Sequence, residues 1–279
     1  MLARAVSENG SSALALPAHV TVRHVSKSFG DAQVLRDVNA SFTRGQIAVV
    51  IGGSGTGKTT LLKIMGGLDK PSSGSVVVAG VDLVPLDETQ LNGVRKRIGM
   101  VFQYSALLDW MSVFDNVAFP LREHTREGAA EIRARVEAKL SVLGLADAVG
   151  KLPAELSGGM RKRVALARAL ILEPEIVMYD EPTSGLDPVM ARVVDELILE
   201  TRDRFGVTSV VISHDMAAAV RVADQIHLLE GGCIVASGSP GELLEGNSQH
   251  AREFFEASGI DAGRLLLEHR AALARRQLR

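Results

Sequence analysis

Residues 46–60 read QIAVVIGGSGTGKTT. The first six, Gln46 to Ile51, are apolar and β-branched, as a strand buried on both faces of a parallel sheet should be. Gly52, Gly57, Lys58 and Thr59 then fall at the spacing G-x-x-x-x-G-K-[ST] of a phosphate loop, directly after that strand and before a helix, which is the context the motif requires. A triphosphate carries several negative charges, so its site needs many donors at close range, and glycine lets the backbone approach without a Cβ in the way. Gly53, Ser54, Gly55, Thr56 and Gly57 turn their N–H groups inward as a nest. A helix starting near Lys58 points its positive dipole end at the phosphates, with Thr60 in its first turn. Lys58 reaches the β and γ groups, and the Thr59 hydroxyl ligates Mg²⁺. The expectation is an α/β fold that binds a triphosphate with Mg²⁺.

Composition narrows the class. The 279 residues, 46% hydrophobic and 23% charged, suit one sizeable α/β domain with appendages. A formal net charge of −2 argues against bulk attraction to nucleic acid. The single cysteine, Cys233, allows no internal disulfide and is expected as a small buried strand residue. No apolar run approaches the ~18 residues of a membrane span, so work at a membrane goes through a partner. Residues 1–17 carry Glu8 and the polar run Asn9 to Ser12, which break a signal-peptide pattern, and are expected as a disordered leader.

In chain order, Val20 to Ser26 alternates like a strand and Val34 to Phe42 is a second, with Phe29 and Gly30 between them. Phe29 offers a π face to a base. Thr60 to Leu68 reads as a helix, Pro71 to Gly74 as a turn, and Ser75 to Ala79 and Ile98 to Phe102 as strands, the second running into Gln103. Val113 to Leu121 and Ala129 to Leu145 are helix-like, a helical insertion over about 104–160.

Three further stretches carry chemistry. Leu156 to Met160 reads LSGGM, in which Ser157 caps a helix whose first residues, Gly158 and Gly159, expose N–H groups to a second anion. A phosphate loop and a separate anion-binding helix end invite pairing in trans between two copies. Ile176 to Glu181 reads IVMYDE, an apolar strand ending in Asp180, placed to hold Mg²⁺ beside Thr59, and Glu181, placed to polarise the attacking water. Ser184 to Asp187 form a tight turn before the helix that Pro188 opens, and Val210 to Ile212 form a strand leading to His214, a donor to the γ-phosphate or the water.

GGSGTGKT, Phe102–Gln103, LSGGM, IVMYDE, SGLD and His214, taken in that order, resemble the ATPase subunits of ABC transporters over about Val20 to Pro240. The resemblance implies a RecA-like core with an antiparallel β subdomain and an inserted helical subdomain, spanning 18–247, and two ATP molecules sandwiched in a homodimer. It further implies that Phe29 stacks on adenine, Gln103 senses Mg²⁺ and transmits its state, Ser157 and Gly159 contact the partner's γ-phosphate, Asp187 lies at the dimer interface and His214 is the switch histidine. Two departures stand out. Phe29 replaces the commoner tyrosine, and Met160 replaces the usual glutamine.

Phe102 to Thr125, with LSGGM, is similar to the ATPases of Mla-type phospholipid transport systems. That likeness implies a peripheral subunit at the cytoplasmic face of an inner membrane, with a permease, an MCE-domain protein and a small STAS-domain protein as partners, and no nucleic acid. The ATPase of an amino-acid-type importer, or a soluble non-transport ATPase of the same family, shares the core motifs, although a single cassette with slight acidity disfavours the soluble one. Leu107, Leu108, Trp110, Met111 and Phe114 are expected as an apolar surface for the permease. Residues 248–279, with Phe254, Phe255, Leu265, Leu266, Leu267 and Leu273 among Arg264, Arg270, Arg275, Arg276 and Arg279, are expected as a basic helical extension that docks on a protein partner.

Overall fold

The computed structural model describes residues 17–245, 248–257, 261 and 263–267; the leader expected over 1–17 and the positions Arg270, Leu273, Arg275, Arg276 and Arg279 lie essentially outside them. The strands are β1 (Ala18–Phe29), β2 (Ala32–Thr43), β3 (Ile47–Ile51), β4 (Ser73–Val78), β5 (Val81–Asp82), β6 (Ile98–Val101), β7 (Ile176–Asp180), β8 (Thr208–Ser213), β9 (Gln225–Glu230) and β10 (Cys233–Gly238). The helices are α1 (Lys58–Met65), α2 (Glu88–Arg95), α3 (Val113–His124), α4 (Ala129–Val142), α5 (Gly158–Leu170), α6 (Pro188–Phe205), α7 (Met216–Val222), α8 (Pro240–Leu244) and α9 (Gln249–Ala257).

β2, β1, β4 and β5 form an antiparallel sheet, and β10, β9, β3, β8, β7 and β6 a second sheet whose inner strands run parallel. β3 is buried at all five positions. Its alternation feeds two cores: Ile47, Val49 and Ile51 pack on the side of α3 to α7, whereas Ala48 and Val50 pack with α1 and the antiparallel sheet. The helical insertion is α3 and α4, with α3 and α5 packed together and β6 beneath α5. Gly99 of β6 makes this contact possible, because a Cβ there would lie 2.6 Å from the Ala169 carbonyl oxygen of α5.

Some boundaries differ from the sequence reading. α1 ends at Met65 rather than Leu68, since Gly66 and Gly67 turn the chain and Gly67 takes φ 65°. α4 stops at Val142, before Gly144 at φ 68°. β4 begins at Ser73, inside the expected turn. Helix α2 escaped notice because it is short, although Asp87 and Gln90 form the capping box that marks its start. The β9–β10 hairpin turns at Gly231 and Gly232. Cys233 does lie on a strand, but half-buried, donating to the Arg36 carbonyl at 3.2 Å.

Of the apolar surface expected on the insertion, Leu107 and Phe114 instead pack against the core, and Trp110 is exposed. Tyr104 is more exposed still. The tail begins by packing on its own chain: Ala251, Phe255 and Leu265 are buried in the core shared with α8 and β10, which leaves Leu267 exposed. Among the described residues no helix is long and apolar enough to cross a membrane.

The β6–α5 contact predicts that Gly99→Ala lowers the unfolding free energy by about 1–3 kcal/mol through overpacking against a carbonyl that cannot rotate away. Urea denaturation of the nucleotide-free protein measures it; an unchanged midpoint would mean that the contact is looser than its geometry.

Candidate active site

β8 lies between β3 and β7, and the registers place Ile51 beside Ser213 and Asp180 beside Ile212. Four segments therefore leave the same edge of the sheet side by side: the loop after β3, His214 after β8, Glu181 after β7, and Gln103 after β6. In parallel sheets this carboxyl edge is where ligands bind. A cavity of about 560 Å³ opens there, walled by Val34, Ser54, Gly55, Gly57, Lys58, Thr59, Thr60, Gln103, Glu181, Ser184 and His214.

The loop over 52–57 is built to bring backbone close. Gly57 caps α1 at φ 101°, and a Cβ on it would sit 2.8 Å from Leu35 Cδ2. The N–H groups at the start of α1, where Lys58, Thr59 and Thr60 line the cavity, have no capping side chain, an arrangement that suits an anion. Lys58 is buried, its Nζ donating to the Gly52 and Gly53 carbonyls, each at 2.9 Å, and lying 3.6 Å from Glu181 Oε1. An ammonium held by three oxygens at the mouth of a nest has a fixed position from which to meet phosphate.

Thr59 donates to Asp180 Oδ1 at 3.0 Å, which joins two hard oxygen donors of the kind that small divalent cations take. Burial pushes the Asp180 carboxyl above its usual range, opposed in part by the Thr59 hydrogen bond. Glu181 adopts φ 48°, left-handed for a non-glycine residue, with its N–H bonded to the Ile212 carbonyl at 3.0 Å. That turn swings its side chain over β8, where Oε2 lies 2.6 Å from His214 Nδ1. A carboxylate only accepts, so Nδ1 carries the proton and Nε2 is left for another partner.

Gln103 donates from Nε2 to the Ser184 hydroxyl at 3.0 Å. Ser184 and Val34 had no assigned role in the sequence reading. Ser184 is detectable only through the turn that precedes Asp187, and Val34 carries no signal beyond its strand. Phe29, half-exposed with Lys27 Nζ 4.7 Å above its ring, does not form part of the wall, and neither do Gly52, Gly53, Thr56 and Asp180, of which the two glycines accept from Lys58 and Asp180 from Thr59.

Ser157, Gly158, Gly159 and Asp187 also lie off the wall. Ser157 caps α5, its hydroxyl accepting from Met160 N at 3.3 Å, and Asp187 caps α6 through Val189 N and Met190 N at 3.0 and 3.1 Å.

A family profile described as ABC transporter matches residues 35–184, more than half of the chain. The chain belongs to the ABC transporter ATPase family. It is 41% identical over 237 residues to the intermembrane phospholipid transport system ATP-binding protein MlaF of Escherichia coli, covering 85% of this chain and 88% of that protein. It is 38% identical over 241 residues to the probable ribonucleotide transport ATP-binding protein mkl of Mycobacterium tuberculosis, covering 86% of this chain and 67% of that one. Among solved structures it is similar to a dimeric post-hydrolysis state of the ATP-binding cassette MJ0796 bound to ADP and Pi, with TM-score 0.71 and 32% identity over 79% of this chain and 98% of that chain. It is also similar to cbiO1 from Clostridium perfringens, part of the ABC transporter complex cbiONQ, with TM-score 0.76 and 29% identity over 82% and 92% of the two chains. As an ABC ATPase this chain binds and hydrolyses ATP.

The raised carboxyl of Asp180 has a measurable sign. A group whose folded pKa lies above its unfolded value favours the folded state at low pH and loses that favour as pH rises through the folded value. At neutral pH the ionised Asp180 therefore weighs against the nucleotide-free fold, and Asp180→Asn is expected to raise its melting midpoint, by about 2–4 °C per kcal/mol relieved. The advantage shrinks as pH falls through the raised folded value, so the gain in melting midpoint is expected to be smaller at about pH 4 than at neutral pH. Melting curves at pH 4 and pH 7.5, as about the extremes a carboxylate titration needs, test it; an equal shift at both would assign the effect to packing.

Proposed function

We propose that this ATPase powers phospholipid transport between the membranes of a Gram-negative envelope, as a homodimer held at the cytoplasmic face of the inner membrane by a permease. The observation that carries the substrate reading is the 41% identity to MlaF over 237 residues, which runs through the insertion as well as the nucleotide motifs. An MCE-domain protein and a small STAS-domain protein are the expected further partners.

The site residues take these roles. Lys58, the N–H groups of Gly52 to Thr60 and the start of α1 hold the β and γ phosphates, and Phe29 stacks on the adenine from the rim. Thr59 and Asp180, with the Gln103 amide oxygen, fit Mg²⁺, which when bound neutralises charge building on the β and γ oxygens. Glu181 accepts the proton of the water that attacks the γ-phosphorus, as the bond from that phosphorus to the β–γ bridging oxygen breaks, giving ADP and phosphate. His214 keeps Glu181 in place through Nδ1 and donates to the γ-phosphate region. Ser157, Gly158 and Gly159 meet the γ-phosphate of the other copy, and Asp187 lies beside them at the dimer seam. ATP contacts that exist only in the closed dimer shift the population toward closure, and loss of the γ-phosphate reopens it.

The near-equal identity to mkl supports a second reading, in which the cargo is a ribonucleotide. Purification from native membrane in mild detergent separates the two. A permease with an MCE-domain protein and bound phospholipid supports the first reading; a permease with nucleotide or another small solute as cargo overturns it and leaves the ATPase chemistry intact. Glu181→Gln should retain ATP, accumulate dimer and lose turnover by about 10²–10⁴-fold, the range for a general base. Normal hydrolysis would refute that role. Lys58→Ala should weaken both nucleotide affinity and turnover, and unchanged kcat/KM would count against its phosphate contact.

A further inference from the structure

Lys162, on α5, is 7% exposed and has no carboxylate within ion-pair distance among the described residues. Its ammonium donates to one backbone group, the carbonyl of Gln103. Further along the same helix, Arg168 donates from both guanidinium ends, Nη1 to the Ala106 carbonyl at 2.7 Å and Nη2 to the Ser105 carbonyl at 3.0 Å. The segment they grip is strained: Ser105 and Ala106 sit at φ 64° and 46°, both left-handed and neither glycine. Gly99 brings β6, the strand that delivers Gln103, into backbone contact with α5 at Ala169.

A buried ammonium without a counter-ion is costly, and a methionine would fill the same channel without that cost. Its benefit lies in the charge-assisted bond it makes. We infer that Lys162 is a positioning residue for Gln103: with Arg168 it locks the loop 103–106 to α5, so that Gln103 and the Ser157–Gly159 end of that helix move as one body. The side chain of Gln103 then points to the cavity and Ser184 because its own carbonyl is held from behind. Contact of the partner's nucleotide with the start of α5 is carried mechanically to Gln103 in the same chain.

The inference rests on the proposed role of Gln103 in turnover, and a double-mutant cycle tests the two separately. The full-length protein carries Gln103→Ala, Lys162→Met, the pair together, and Lys162→Arg as the conservative rescue; Lys162→Gln, which keeps one donor, stands in if the methionine variant does not fold. Turnover per nucleotide-binding site is measured with KM for ATP, and hydrogen exchange is followed in the peptide spanning residues 102–112. Lys162→Met should lower kcat ~10-fold with KM within about twofold, as expected when a group is misplaced rather than lost. It should have no further effect in the Gln103→Ala background, and should speed exchange in that peptide alone, with Lys162→Arg restoring both readouts. Additive effects in the cycle, or exchange unmoved by Lys162→Met, overturn the positioning role. A Gln103→Ala variant with normal kcat overturns instead the reading of Gln103 on which it rests.

Discussion

Parallel pairing of β8 with β3 on one side and β7 on the other is the constraint on which the rest of the structure depends. It pairs Ile51 with Ser213 and Asp180 with Ile212, so that a phosphate loop, two carboxylates and a histidine leave the sheet within reach of one ligand. Strands so placed are covered on both faces, and the uninterrupted burial of β3 and β8 is the price of that arrangement in sequence. The β–helix contact at Gly99 then seats α5 and aligns Gln103 with the same edge.

The site keeps several groups in states that the chain alone would not choose. Asp180 is a carboxyl in a partly desolvated position, Glu181 is left-handed, and Lys58 is buried among main-chain oxygens. Each is unfavourable locally and stabilised by neighbours: Thr59 for Asp180, the Ile212 carbonyl for the Glu181 backbone, the glycine carbonyls for Lys58. Preorganisation of this sort places charge where phosphoryl transfer develops it, and needs little rearrangement when it does. The helices that leave the site are tied as well, α6 to α7 by Arg221 Nε and Nη2 on Asp195 Oδ2, at 2.9 and 2.7 Å, so the turn at Asp187 and the segment at His214 share a support.

Much of this was legible in the residues. The phosphate loop is a local device: its spacing, its glycines and the strand before it lie within fifteen residues, and Gly57 at φ 101° is the conformation the motif requires. Ser157 announced a helix start because a cap acts over three residues, and Pro188 announced α6 from its first position, whereas Asp87 caps a helix of only eight residues that the apolar pattern does not reveal. The expected surface on the insertion differs in part, because Leu107 lies in an irregular loop where no period applies and Phe114, in the first turn of α3, packs against the core. In the tail, Phe255 and Leu265 are buried in the core of their own chain, a contact that their spacing in the sequence does not announce.

By itself the sequence determined the local elements, meaning where anions meet free N–H groups, where strands are buried on both faces, and which side chains have the chemistry for ATP hydrolysis. Those follow from steric and hydrogen-bonding preferences that act across a few residues. Only the tertiary structure decided that His214 grips Glu181, that Gln103 meets Ser184, and that Lys162 and Arg168 hold the carbonyls of the Gln103 loop. These partners are set by strand order and by the seating of α5 on Gly99, and no spacing along the chain encodes a contact made by elements packed together from distant segments.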